Sequence, residues 1–260
     1  MSAHENISSN EQIDYVNDDL QLIQNKNFFK FGTDSLLLSG FVNSKKKYNN
    51  AIELGCGSGI ISLMLLARNK VKNIDAIEIQ PYFCSLAGRN AELNELSDRM
   101  TVYCKDVKNI KGSFLSKETE MVVSNPPYMK MTSGRHNKDS ELLAARHELY
   151  ATINDFVSCA AKLIKHGGDF YVVYRQDRLT DLIIAMKNNN FEPKIMTFVH
   201  ADTLSEPAFV LVKAKYGASG GGLKITKPFY LYASSQNKSG KREYSEEMHF
   251  LLKNGYMKFD

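Results

Sequence analysis

The segment from Asn50 to Glu78, "NAIELGCGSGIISLMLLARNKVKNIDAIE", limits the possible folds more than any other. An apolar run meets three closely spaced glycines, then a helical pattern, then a second apolar run. Two strands joined through a helix pair in parallel, because parallel neighbours need a crossover of a dozen or more residues. The alternation continues. "PYFCSLAGRNAELNEL" reads as a helix with Pro81 near its first turn, where the missing N–H costs nothing. "MTVYCKD", ending at Asp106, and "EMVVSN" read as the third and fourth strands. "INDFVSCAAKLIK" is a helix stopped by Gly167-Gly168, "DFYVVYR" a fifth strand and "LTDLIIAMKNNN" a helix. "KIMTFVH" and "AFVLVKAKY" are the sixth and seventh strands, with too short a connection between them for a crossover. The expected fold class is therefore α/β: a Rossmann-like seven-stranded, mostly parallel sheet with helices on both faces and an antiparallel last strand.

Upstream, the first dozen residues are polar and expected to be frayed. "LQLIQ" reads as a short strand and "TDSLLLSGFV" as a helix opened by a cap at Thr33 or Asp34. Downstream of "GASGGG", "LKITKPFYLY" reads as an apolar strand and "SEEMHFLLKN" as a helix. No repeat or long linker divides the chain. Residues 1–260 are expected to form one domain with a short N-terminal extension and a small C-terminal tail.

Composition narrows the function classes only slightly. A net charge of +4 permits an acidic partner such as nucleic acid without requiring one. Cys56, Cys84, Cys104 and Cys159 lack metal-ligand spacing, so no metal is expected and the thiols read as reduced, in a cytoplasmic protein. The N-terminus has neither the basic start nor the apolar stretch of a signal peptide. No later run is long enough to cross a membrane. A monomer is the default expectation.

The glycine motif "ELGCGSG", Glu53 to Gly59, follows a strand and opens a helix, the context in which such a loop binds a ligand. Glycine permits positive φ and close approach of a ligand to the backbone. Dinucleotide sites carry G-x-G-x-x-G around a pyrophosphate. Here Gly55, Gly57 and Gly59 are spaced G-x-G-x-G, and a carboxylate at Glu53 suits a cationic amino-acid end. S-adenosylmethionine has that end. Glu78, closing the second strand, can accept from both ribose hydroxyls, and Asp106 can accept from the adenine amine. Singly, Glu78 and Asp106 are equally well read as polar strand ends; with "ELGCGSG" they read as a cofactor site.

"SNPPY" closes the fourth strand, whose end arrives beside the cofactor's methyl group in such a sheet. Two prolines fix φ and hold the residues before them extended. An exocyclic or amide nitrogen is a poor nucleophile because its lone pair is delocalised. The side-chain oxygen of Asn125 and the backbone carbonyl of Pro126, restricted by Pro127, can accept its two N–H groups. Tyr128 offers a ring on which a planar base can stack. An ordinary strand-ending turn also produces this tetrapeptide; the glycine loop upstream favours the chemical reading.

Together these motifs resemble the class I S-adenosylmethionine-dependent methyltransferases that modify planar nitrogens. "FGTDSLLLSGF", "EIQPYFCSLAGRNAELNEL" and "GRHNKDSELLAARHE" narrow the resemblance to the bacterial tRNA(Val) adenine N6-methyltransferases. The resemblance runs from about Asp14 to the end of the seventh strand. It implies methylation of the adenine immediately 3′ of the anticodon, with tRNA as partner. It also implies that Asp34 lies near the methionine end of the cofactor, although Thr33 and Asp34 read equally well as a helix cap.

The stretch after Tyr128 carries Lys130, Arg135, His136, Lys138, Arg146 and His147, cations placed to attract RNA phosphates. Of these, Arg135, Lys138, Arg146 and His147 are the expected RNA contacts; a solvated loop is the other reading. Lys238, Lys241 and Arg242 form a second cluster that a solvated turn explains as well. An anticodon-loop adenine is single-stranded, so bringing it into a pocket costs less than extracting it from a duplex. Three other functions remain open from sequence: N5-methylation of a glutamine in a protein such as a release factor, a non-catalytic RNA-binding protein, and a nicotinamide-dependent reductase.

Overall fold

In the computed structural model, residues 7–17, 20–26, 32–42, 46–114, 118–128, 151–236 and 242–258 are described. The strand–helix alternation gives a sheet in which β3 (Tyr48–Leu54), β4 (Val71–Glu78), β5 (Met100–Cys104), β6 (Thr119–Ser124) and β7 (Ile164–Arg175) pair in parallel. β9 (Pro207–Tyr216) runs antiparallel between β7 and β8 (Phe191–His200). The order across the sheet is β8-β9-β7-β6-β3-β4-β5. These seven strands and the reversed β9 match the expectation. Two short tail strands, β10 (Lys224–Ile225) and β11 (Phe229–Tyr230), add parallel pairs along the outer side of β8.

Alternate residues of each strand feed two separate cores, as the two-residue side-chain period of a strand requires. Ala51, Met121, Val123, Tyr171 and Val173 face one core. It is shared with α1 (Thr33–Phe41), α2 (Ile60–Ala67), α3 (Pro81–Leu93) and α6 (Glu246–Asn254). Ile52, Val122, Phe170, Val172 and Tyr174 face the other, shared with α4 (Ile153–Leu163) and α5 (Leu179–Asn188). Helices therefore cover both faces. Helix α4 starts with a capping box in which Thr152 and Asp155 exchange hydrogen bonds.

Several boundaries differ from the sequence reading. Of the first dozen residues, expected to be frayed, 1–6 lie outside the described residues, while Glu11 and Gln12 open β1 (Glu11–Asn17), which forms an antiparallel hairpin with β2 (Leu20–Asn25). Its polar sequence conceals the strand because the hairpin is held by polar contacts. Asn90 of α3 and Asn94, its C-cap, act as substitute strand partners, each accepting one backbone N–H of β2 and donating to its carbonyl, at Ile23 and Gln21. Helix α1 is capped by neither Thr33 nor Asp34; Gly32 is its N-cap, without a side-chain bond. β5 ends at Cys104, two residues before Asp106, whose carboxylate turns back onto the N–H of Lys108 at 2.9 Å to cap a short 3-10 turn. Gly167-Gly168 lie inside β7 rather than ending α4. The expected tail strand is broken into β10, β11 and the start of β12 (Tyr232–Gln236), which pairs with β13 (Arg242–Tyr244).

Candidate active site

The sheet changes direction of growth at β3. β4 and β5 extend it on one side, and β6 and β7 on the other. In open α/β sheets the crevice at such a switch, beyond the carboxyl ends of the strands, is where ligands bind. Register places both sequence motifs there. Leu54 of β3 pairs with Ser124 of β6, and the Ser124 hydroxyl donates to the Leu54 carbonyl at 2.8 Å. The next residue on each strand is Gly55 and Asn125, so the glycine loop and the Asn-Pro-Pro-Tyr elbow leave adjacent strands, roughly 5 Å apart, at one level.

The glycine loop has the backbone its sequence demands. Gly55, Gly57 and Gly59 have φ of 73°, 52° and 85°. Gly59 is the left-handed N-cap of α2, and a Cβ there would sit 2.9 Å from the Met100 methyl and 3.3 Å from the Ala87 Cβ. A Cβ on Gly57 would meet nothing within 4 Å. The space beside this half-buried backbone is open, so a ligand could approach it closely.

Two glutamates brace the loop. Glu78 Oε2 accepts from the Gly57 N–H at 3.0 Å, and Oε1 from the N–H groups of Ile79 and Gln80 at 2.9 Å each. A carboxylate has about four lone-pair sites, so capacity remains for a ribose hydroxyl. Glu53 is 1% exposed; its Oε2 accepts from the Ser62 N–H at 2.9 Å and from the Ser62 hydroxyl. Burial pushes the Glu53 carboxyl up from 4.5 to about 8, against the Ser62 hydrogen bonds that favour its charged form. The buried Asn90 amide ties the loop to the N-terminal hairpin, donating to the Ser58 carbonyl at 3.0 Å as well as bonding Ile23. Asp106 is half-buried at the end of the adjoining crevice wall, engaged with Lys108 and with the Asn109 amide at 3.3 Å.

On the other side of the switch, Asn125 Nδ2 donates to Ser35 Oγ at 3.1 Å. The Tyr128 hydroxyl lies against Asn125 Oδ1 and is 2.9 Å from Asp34 Oδ2. Asp34 Oδ1 also accepts from the Ser35 N–H at 2.8 Å. The first turn of α1 therefore faces the elbow, with Asp34 and Ser35 both in contact with it. The Tyr128 ring is not a free-standing platform. It packs edge-on against Tyr174, with centroids 5.8 Å apart, and at a tilt against Phe209 at 5.9 Å. Arg178 Nη1 donates to the Tyr128 carbonyl at 3.1 Å, while its guanidinium lies over the Tyr174 ring at 5.5 Å. Burial and the Asp34 charge hold the Tyr128 hydroxyl well above its ordinary value. Pro126 is buried and Pro127 half-buried.

Ser35, Ser62, Asn90 and Arg178 were not singled out from sequence. Ser35 and Ser62 had a signal, since each belongs to a motif already marked, "GTDS" or the helix after the glycines. Arg178 is 50 positions from Tyr128, and no local pattern links them. The expected RNA contacts Arg135, Lys138, Arg146 and His147, with Lys130 and His136, lie outside the described residues, as do Lys238 and Lys241. Arg242 lies over the Tyr232 ring at 5.6 Å, with Asp202 3.7 Å away. A separate cavity of about 460 Å³ lies between β8, the tail and α6, lined by residues that include Thr197, Thr226, Phe229 and Phe250. None of the crevice residues borders it. Among the described residues no helix is long and apolar enough to cross a membrane.

The model of the methyltransferase small domain matches residues 26–193, which include the glycine loop, Glu78 and the elbow. The chain belongs to that family. Within this methyltransferase family, a tRNA1(Val) (adenine(37)-N6)-methyltransferase from Yersinia enterocolitica is 32% identical over 164 residues. That match covers 62% of this chain and 64% of the relative, a little under two thirds of its length. A protein of the same name from a Flavobacteriaceae bacterium is 28% identical over 225 residues, 80% of this chain and 94% of the relative. Among solved structures, a predicted O-methyltransferase from Agrobacterium tumefaciens superposes with a TM-score of 0.66 at 20% identity, covering 87% of this chain and 98% of that one. At that identity the likeness is one of fold.

Proposed function

We propose that the chain is an S-adenosylmethionine-dependent methyltransferase acting on the exocyclic N6 of an adenine in tRNA, the adenine 3′ of the anticodon of tRNA(Val). The observation that carries the chemistry is the pairing of Leu54 with Ser124, which brings the glycine cradle and Asn125 out of the sheet side by side. The substrate rests on the two relatives whose names state it. On this reading residues 1–260 act as one methyltransferase domain, as a single copy in the cytoplasm, with no resident metal.

The cradle at Gly57, the carboxylate of Glu78 and the buried Glu53 suit S-adenosylmethionine, with Asp106 toward its adenine and Asp34 toward its methionine end. The cofactor supplies an electrophilic methyl group on a sulfonium. The protein's own work is to prepare the nucleophile. Asn125 Oδ1 and the Pro126 carbonyl accept the two N–H groups of the adenine amine and draw its nitrogen out of conjugation with the ring. Tyr128 packs on the base, worth about 1–3 kcal/mol in comparable sites. Holding the two reactants in place supplies up to roughly 7–11 kcal/mol of the barrier reduction. No strong base is required, since the methylated amine sheds its proton readily. Arg135, Lys138, Arg146 and His147 follow the elbow in sequence and would meet phosphates.

Nucleoside mass spectrometry of tRNA incubated with the protein and cofactor tests the reading. N6-methyladenosine at the position 3′ of the anticodon is the expected product. Its absence, with label appearing instead on a release factor, would replace the reading with glutamine methylation.

A further inference from the structure

One of the two lone pairs of the oxygen that would receive the substrate amine is already engaged. Tyr128 Oη sits against Asn125 Oδ1 and is 2.9 Å from Asp34 Oδ2. A phenol carries one proton, and both of these neighbours are acceptors, so the hydroxyl serves one at a time. The ring cannot swing to choose between them. Tyr174 and Phe209 hold it from the side and Arg178 holds its carbonyl. Turning the proton about the Cζ–Oη bond, with a slight tilt that parts the two oxygens once no proton lies between them, passes the hydrogen bond from Asn125 to Asp34. Meanwhile the buried Ser35 accepts from Asn125 Nδ2 at 3.1 Å, which points Oδ1 away from α1 and toward the hydroxyl.

We infer that the Tyr128 hydroxyl is a built-in stand-in for the adenine amino group. It satisfies Asn125 Oδ1 while the site is empty of base and turns its proton to Asp34 when the amine arrives. Asp34 and Ser35 are positioning residues for this exchange. Asp34 gives the displaced hydroxyl a second acceptor, and Ser35 fixes which end of the Asn125 amide faces the substrate. With the base bound, Asn125 Oδ1 accepts from the amine and Asp34 Oδ2 from the hydroxyl, so Asn125 keeps a donor at both stages and entry of the base does not cost it a hydrogen bond. A base without an exocyclic amine would leave the Tyr128–Asn125 bond unbroken and gain nothing from Asn125. The inference rests on the adenine N6 reading.

Two anticodon stem-loop RNAs separate the possibilities, one with adenine 3′ of the anticodon and one with purine riboside, which lacks the 6-amino group. Their affinities are measured on the same protein saturated with S-adenosylhomocysteine, so effects on folding or cofactor binding cancel in the ratio. Tyr128→Phe uncaps Asn125, and the preference for adenine over purine rises by about threefold to tenfold, the worth of one neutral hydrogen bond. Asp34→Ala removes the second acceptor, and the preference falls below that of the unaltered protein. Ser35→Ala lowers kcat on the adenine RNA while KM and cofactor Kd stay in place. An unchanged or reduced preference in Tyr128→Phe overturns the inference while methyl transfer by the unaltered protein upholds the functional reading. No transfer to the adenine RNA by the unaltered protein overturns both.

Discussion

Glu53 shows how one residue's surroundings set its behaviour. Burial raises its carboxyl from 4.5 to about 8, so it is neutral over much of the physiological range while no cation is near. A raised acid contributes stability that is present below 4.5 and lost as pH rises through 8, so the cofactor-free protein is expected to weaken across that window. An ammonium placed against it favours the charged form, so binding releases a proton. Cofactor affinity therefore tightens from pH 6 to 8, and the binding heat varies with the ionisation heat of the buffer. Glu53→Gln flattens both dependences in calorimetry; a flat profile in the unaltered protein would show that the ammonium lies elsewhere. Asn125 gives the complementary residue test. If Asn125 accepts from the amine as proposed, Asn125→Ala lowers turnover on tRNA by about a hundredfold or more, a loss comparable to deleting one oxyanion-type partner. Cofactor affinity by equilibrium dialysis stays within about threefold of the unaltered value, since a partner used only in the chemical step leaves cofactor binding in place.

Among the elements, β1, the first strand of the N-terminal hairpin, departs most from its sequence pattern, whereas "LQLIQ" is the expected strand β2. The hairpin's anchor is Glu11, 5% exposed, which accepts from Arg89 at 2.9 and 2.6 Å, from Tyr82 at 3.0 Å and from the Ser8 N–H at 3.1 Å. These donors, Arg89 foremost, hold the Glu11 carboxyl down at about 2. A lowered acid contributes stability that is present above 4.5 and lost as pH falls through 2. Glu11→Gln is expected to cost about 1.5–3 kcal/mol by urea unfolding at pH 7, and to remove the acid-side part of the pH dependence. Apolar periodicity cannot disclose an element fastened in this way. Strands such as β3 and β6 were legible because both faces are buried and they read as continuous apolar runs. Asp106 was read as part of a strand because a short polar side chain looks alike at a strand end and at a cap; only its bond to Lys108 distinguishes the two.

For the whole molecule, crossover length made the sheet legible. The helices between β3 and β4, β4 and β5, β6 and β7, and β7 and β8 imply parallel strands, and the short link before β9 implies its reversal. The register that brings Gly55 beside Asn125 follows from that topology, so the centre of the site was readable, whereas its buttresses from α1 and Arg178 depend on distant folding of the chain. If the cradle holds the expected cofactor, S-adenosylhomocysteine at a hundred times its Kd stabilises the fold by about 2.7 kcal/mol, and a nicotinamide dinucleotide does so not at all. Thermal unfolding with each ligand checks this. The tail has a different consequence. By lying along β8, the segments at Lys224–Ile225 and Phe229–Tyr230 occupy backbone groups that would otherwise template a strand from another molecule. Thr226→Pro with Leu231→Pro removes the N–H groups that bond the Met196 and His200 carbonyls while leaving α6 in the chain, and should therefore show itself first as clumping at high concentration, in light scattering, with methyl transfer retained.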